Sequence, residues 1–145
     1  LRAANRINCL EGLSTLKRLK SLDISDNNIS KIEGLSNLEN LQSLNLKTNR
    51  IIYIEGLLEL NNLENLYLKC NHITKIEGLS ELKNLVSLVL AENKIINLEG
   101  LSELKSLSFL DVQGNNFDQI EGRAYLDSLI KLNPSRKFLE NVYGV

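Results

Sequence analysis

The sequence predicts an α/β solenoid, a curved superhelix with a parallel sheet on the inside of the curve and short helical or irregular returns on the outside. Three observations predict it. Asn5, Asn27, Asn49, Asn71, Asn93 and Asn115 recur every 22 residues without an insertion or deletion. Seven further columns of the repeat are apolar in almost every copy. Within each copy the apolar spacing changes from two, as in "LDI", "LNL", "LYL", "LVL" and "LDV", to three, as in "LSELKSL". A spacing of two is that of a short strand with one buried face, and a spacing of three suits a tight helical turn. A unit of strand, turn and return cannot bury its own core, so the copies must stack and their strands run parallel. Residues 1–122 divide into one partial N-terminal repeat and five full repeats, and residues 123–145 form a closing element of different idiom.

The chain opens on "LRAANRI", where Arg2 stands in place of a buried strand residue and no capping segment is legible. An exposed parallel edge is a pairing hazard. The chain also contains no methionine, so it reads as a fragment or processed form whose first repeat is covered by a preceding segment; alternatively residues 1–4 fold over that repeat in their own way. In each full repeat the strand supplies two inward residues, Leu22 and Ile24 in the first and Leu44 and Leu46 in the next. The asparagines that follow, Asn27, Asn49, Asn71, Asn93 and Asn115, are read as a structural ladder. The chain leaves each strand through a turn whose backbone groups lie under the next repeat, and an amide side chain has both donors and an acceptor to satisfy them. The return begins with two more inward residues, such as Ile51 and Ile54, then the pair Glu-Gly, where glycine permits a backbone shape other residues resist. Ser14, Ser36, Ser80 and Ser102 just after it suit caps of the helical turn that follows. The period ends at Arg123, in place of an inward leucine; Tyr125, Leu129 and Leu132 then fall at helical spacing until Pro134 stops that helix.

The wording LxxLxxLxLxxNxIxxIEGL, with "KIEGL" at 31 and 75, resembles the 22-residue leucine-rich-repeat class typified by the nuclear regulatory subunit of protein phosphatase 1. The resemblance covers residues 5–122 and implies a right-handed leucine-rich-repeat superhelix that acts as a non-catalytic protein-binding scaffold. The class includes phosphatase regulators, an axonemal dynein light chain, ciliary and centrosomal proteins and a spliceosomal subunit, so it implies no single role. Tyr125, Leu129, Ile130, Pro134, Leu139 and Glu140 resemble in their spacing the C-terminal cap of intracellular leucine-rich-repeat proteins, while Asn133 and Arg136 stand where that cap usually has leucine.

Composition excludes several functions. A formal net charge of -1 with no basic block argues against sequence-independent nucleic-acid binding, which depends on neutralising phosphates. No apolar run approaches the ~18 residues of a membrane span. Cys9 and Cys70 lie almost three repeat steps apart, roughly 14 Å at about 4.8 Å per strand, beyond the about 7 Å that a disulfide tolerates. Two free thiols favour a reducing compartment, and the expected location is cytoplasmic, with nuclear or ciliary and cytoskeletal sites as variants. His72 has no clustered ligands, so no metal is expected, and it shares a polar column with Arg6, Asn28, Arg50, Lys94 and Asn116. With no nucleophile elbow, glycine-rich phosphate loop or carboxylate pair beside a base, the chain is expected to have no catalytic residues, cofactor or small-molecule substrate.

Function is then sought in the outward columns. Early strands are polar on the sheet face, but Tyr67, Val89, Ala91 and Phe109 fall on adjacent strands with Val86 near a strand start, and Lys47, Lys69, Glu64 and Asp111 surround them. An apolar centre with a charged rim is the composition of a recognition surface. The plainer account is that valine and aromatic residues favour strands and pack across them. A second departure lies in "RIIYIEGLL", where Ile52, Tyr53 and Leu58 add apolar side chains outside the core columns or simply cover one another. The expected function is an intracellular scaffold that binds a protein partner on the concave face. The alternative by resemblance is a regulatory subunit of a protein phosphatase 1-type enzyme, in which Asp23, Tyr67, Phe109 and Asp111 would play the acidic and aromatic parts, or a dynein or ciliary light-chain-like component. An extracellular adhesin is a third reading, against which the cap and the free thiols count.

Overall fold

The computed structural model describes residues 6–116, Asp127 and the strand Lys137–Phe138. Asn5, the expected N-terminal covering and all the cap positions named above lie outside the described residues. Five three-residue strands follow one another at the repeat period: β1 (Ser21–Asp23), β2 (Ser43–Asn45), β3 (Asn65–Tyr67), β4 (Ser87–Val89) and β5 (Phe109–Asp111). A sixth, β6 (Lys137–Phe138), joins the far edge, and the strands form one sheet in the order β1-β2-β3-β4-β5-β6. All pairings are parallel, and from β1 to β5 each residue faces its counterpart one repeat on, as Leu44 faces Leu66 and Leu66 faces Leu88. The fold is therefore a parallel-sheet solenoid.

The inward columns build one continuous core. The central residues of β2 to β5 and the columns of Leu46, Ile51, Leu57, Leu60 and Leu63 are buried from repeat to repeat. The first copy departs from the expectation that all these columns point inward to a core. Ile7 and Leu16 are exposed and Leu13, Leu19, Leu22 and Ile24 only partly buried, because the described residues include no repeat stacked on that side.

The returns are the irregular kind, not helical. Each consists of two successive turns closed by single backbone bonds, in the second repeat Leu38 N–H to the Leu35 carbonyl (2.9 Å) and Leu41 N–H to the Leu38 carbonyl (2.9 Å). A continuing tight helix would return the Gln42 N–H to the Glu39 carbonyl. Instead Gln42 N–H bonds the Lys20 carbonyl of the preceding repeat at 2.8 Å, and the Glu39 carbonyl accepts the Asn62 amide of the following one at 2.8 Å. Stacking thus takes the groups a helix would need. With no helix in the described repeats, Ser14, Ser36, Ser80 and Ser102 cap none, and the Ser80 hydroxyl donates to the Glu81 carboxylate at 3.4 Å.

Candidate functional site

The sheet face can be weighed as a candidate site only after the groups that hold the repeats together are set aside. The asparagine ladder is the first such group. Asn71 accepts the Ile51 N–H of the preceding repeat at 3.0 Å and donates to the Leu46 and Leu68 carbonyls, both at 3.0 Å, so that one amide ties two turns. Asn49 and Asn93 make the same bonds, Asn27 and Asn115 the same acceptor bond, to Ile7 and Ile95, and Asn115 alone of the five is only partly buried. The expected mechanical role is what the geometry shows.

Two further sets were not foreseen. On the returns, the Asn40, Asn62 and Asn84 amides and the Ser106 hydroxyl each donate to a carbonyl of the preceding repeat, those of Lys17, Glu39, Asn61 and Lys83, at 2.7–2.8 Å. The signal was in the sequence as a second polar column, Asn40, Asn62, Asn84, Ser106, hidden because the first repeat has Arg18 there. On the sheet face, the side chains of Asp23, Asn45 and Asp111 each accept the backbone N–H two residues on, from Ser25, Lys47 and Gln113 at 3.0–3.1 Å. This short local loop closes the strand exit. Asp111, expected to rim the patch, therefore also holds its own backbone.

The same column in β3 and β4 carries Tyr67, whose phenolic oxygen stands too far from the backbone to accept such an N–H, and Val89, which has no acceptor. Tyr67 and Val89 face each other directly across the pairing, and Phe109, opposite Ser87, lies one strand and two residues from Val89. All three are half-buried on one face. Val86, at the entry to β4, is 41% exposed, Lys47 is exposed and Lys69 half-buried, and neither lysine makes an ion pair among the described residues. Glu64 is exposed, its carboxylate 3.3 Å from the Gln42 amide. Ala91 is a correction: it was placed in the exposed apolar centre and is 1% exposed. A methyl group does not reach past the longer side chains that flank it in its column, Lys69 and Gln113.

In the second patch the structure brings Tyr53 and Leu58 together but leaves Ile52 out. Tyr53 and Leu58 line an open groove of about 440 Å³ with Ile54, Glu55, Gly56, Glu77 and Gly78. Ile52 is exposed outside it, as is Ile96, which stands in the same column two repeats on and was not singled out from the sequence.

Ionisable chemistry is sparse. Among the described residues no group of three or more His, Cys, Asp and Glu is placed to hold a metal ion, and no helix is long and apolar enough to cross a membrane. His72 is exposed, and Cys9 and Cys70 are free thiols, exposed and half-buried respectively. The Asp23 carboxyl is held below its ordinary value, first by the backbone N–H of Ser25 and then by the Ser25 hydroxyl, with burial opposing them and the Asn45 amide adding a lesser contribution.

The likenesses to known proteins agree with this architecture. A family model described as leucine-rich repeat matches residues 2–99. An internalin (inlF) from Listeria monocytogenes superposes with a TM-score of 0.77 at 28% identity, over 94% of this chain and 38% of its own. A leucine-rich-repeat protein of Leptospira interrogans gives 0.75 at 27% identity, over 93% of this chain and 35% of its own. The ectodomain of the plant membrane receptor kinase GASSHO1/SCHENGEN3 from Arabidopsis thaliana, solved in complex with CASPARIAN STRIP INTEGRITY FACTOR 2, gives 0.66 at 20% identity over 76% of this chain and 14% of its own, a likeness of fold alone. This chain thus spans 38% and 35% of the first two structures, well under two thirds. Among curated proteins there is no significant match.

Proposed function

The chain belongs to the leucine-rich-repeat family, whose fold is a protein-interaction scaffold, and from that premise we propose that it is a non-catalytic intracellular module holding a protein partner on the concave face of its sheet. The observation that carries this reading is the break in the strand-exit column. Asp23, Asn45 and Asp111 use that position to close a local hydrogen bond, whereas Tyr67 and Val89 give the bond up for an apolar surface beside Phe109 and Val86. A repeat folds with the polar residue in place, so the apolar pair is not a requirement of the fold. Strand propensity alone does not account for the substitution, because β1, β2 and β5 form with the polar residue in place. Free thiols at Cys9 and Cys70 support the intracellular placement.

Aromatic side chains dominate interfaces because each buries a large rigid surface at low entropic cost. Truncating such an anchor typically costs about 2 kcal/mol or more, some thirtyfold in affinity. Tyr67→Ala with Phe109→Ala is expected to remove the partner captured from a native lysate while melting nearly as the wild type does. If the pair of changes leaves the partner bound, the concave reading is wrong.

A second reading, regulation of a protein phosphatase 1-type enzyme, is favoured by Tyr67, Phe109 and Asp111 facing the same side of β3 and β5, with Asp23 on β1. It requires the catalytic subunit to co-purify with the wild type and to be lost with Asp111→Asn, which keeps the backbone bond and removes only the charge. Co-purification that is indifferent to this change sinks it.

A further inference from the structure

The connecting segments of two adjacent repeats hold a second surface, none of whose residues belongs to the sheet. Its groove of about 440 Å³ is lined by Tyr53, Leu58, Glu55 and Glu77, with the bare backbone of Gly56 and Gly78 between them. Tyr53 is 57% and Leu58 54% exposed. The fold requires neither: the column of Tyr53 otherwise carries Cys9, Lys31, Lys75 and Asn97, and that of Leu58 carries Ser14, Ser36, Ser80 and Ser102. The concavity itself is fixed by stacking, because a Cβ on Gly78 would lie 2.3 Å from the Ile54 carbonyl oxygen.

The charges differ from the neighbouring repeat in one informative way. One repeat earlier, the Lys31 ammonium meets the Glu33 carboxylate at 3.2 Å. In the groove Tyr53 has replaced that lysine, and Glu55 has no ion-pair partner among the described residues. Glu77 has none either, although Lys75 stands two residues before it. Two unpaired carboxylates border an exposed tyrosine ring and a leucine.

We propose that this groove docks an arginine side chain of a partner protein, its stem lying on Leu58, its guanidinium plane on the Tyr53 ring and its N–H donors reaching the Glu55 and Glu77 carboxylates. An acidic segment would be repelled, and a purely apolar one would strip water from two carboxylates without pairing them. Lysine is a single point charge on a flexible stem; the planar guanidinium stacks on an aromatic face and presents five donors to more than one oxygen. The site is independent of the concave sheet and stands or falls without it.

The test is an NMR titration of the full chain, labelled with nitrogen-15, with acetyl-Leu-Arg-Leu-amide. Saturable amide shifts are expected at Tyr53, Glu55, Gly56, Glu77 and Gly78. Tyr53→Lys with Leu58→Ser puts at each position a residue that neighbouring repeats carry there, so the variant keeps the fold and its melting point. It is expected to weaken binding of the peptide about tenfold or more. The absence of saturable shifts at these amides, equal shifts with acetyl-Leu-Glu-Leu-amide, or unchanged affinity in the double variant would each overturn the assignment.

Discussion

Gly12 and Gly78 occupy the same column with the same left-handed backbone, φ 81° and 69°, yet their surroundings differ. A Cβ on Gly12 meets nothing within 4 Å, whereas one on Gly78 runs into the Ile54 carbonyl of the preceding repeat. Gly12→Ala is therefore expected to cost no more than the about 1–2 kcal/mol of a left-handed backbone. Gly78→Ala adds an overpacking cost of about 1–3 kcal/mol, because backbone rather than a flexible side chain must move. A denaturant titration decides it, and equal losses would show that conformation, not the approach of successive repeats, sets this column. Asp23 supplies a second residue-level test. Its folded-state carboxyl lies below its unfolded value of about 3.9 because the ionised form accepts the Ser25 N–H. The stability it contributes is therefore present above that unfolded value and is lost as pH falls through the folded one. Asp23→Asn keeps an acceptor without the charge, as Asn45 already does one repeat on. Its melting temperature should fall less than the wild type's between neutral pH and pH about 3. Parallel curves would mean that the Ser25 bond does not favour the ionised carboxyl.

At the scale of the strand, each three-residue element has one side chain in the core and two on the open face. The inward leucine secures the strand, so the flanking positions are released for other work. Of these, the exit position carries either a polar residue that closes on its own backbone or an apolar one, the latter being the proposed recognition surface. Val89→Asn should restore the bond that Asn45 makes to Lys47, a gain of about 0.5–1.5 kcal/mol, against at most about 1 kcal/mol of lost strand preference. The expected net change in stability is under about 1 kcal/mol, together with weaker partner binding. A loss beyond about 1.5 kcal/mol in thermal or chemical denaturation would identify Val89 as a packing residue and remove it from the recognition surface.

Across the whole molecule, repeats hold one another through contacts one period apart, and the core has no centre distinct from its length. Backbone bonds step from repeat to repeat at strand entry, strand exit and after the asparagine, as from Ser43 to Lys20, Leu46 to Tyr67 and Arg50 to Ile29. Stability in such an array is nearly a sum of repeat and interface contributions. The graded burial of the first copy, with Leu10 buried while Ile7 and Leu16 are exposed, is what this predicts where the described residues place no repeat on one side. The same construction leaves room for the two proposed binding surfaces. A substitution in an outward column changes the surface of one repeat and leaves its neighbours' pairing intact. Tyr53 and Leu58 on the returns and Tyr67 and Val89 on the sheet have therefore departed from their columns without disturbing the register.

Whatever repeats could be read from the order of residues alone: the period, the inward columns, the parallel pairing of β1 to β5 and the duty of Asn49, Asn71 and Asn93. These follow from periodicity because an identical unit stacked on itself puts identical residues into identical surroundings. The location of Tyr67, Val89 and Phe109 on one face was legible for the same reason. How groups between repeats are shared follows from the stacking itself. The Gln42 N–H could have closed a helix within its own return, and stacking gave it to Lys20 instead. Ala91 reads as an exposed strand residue, and neighbouring side chains bury it. Asp111 reads as a free charge, and its own backbone engages it. The grouping of Tyr53 and Leu58 with Glu55 and Glu77 likewise depends on how closely one return lies on the next. That distance is set by carbonyls meeting glycines across the repeat interface; the glycine column is legible in the sequence, but the approach it permits is not.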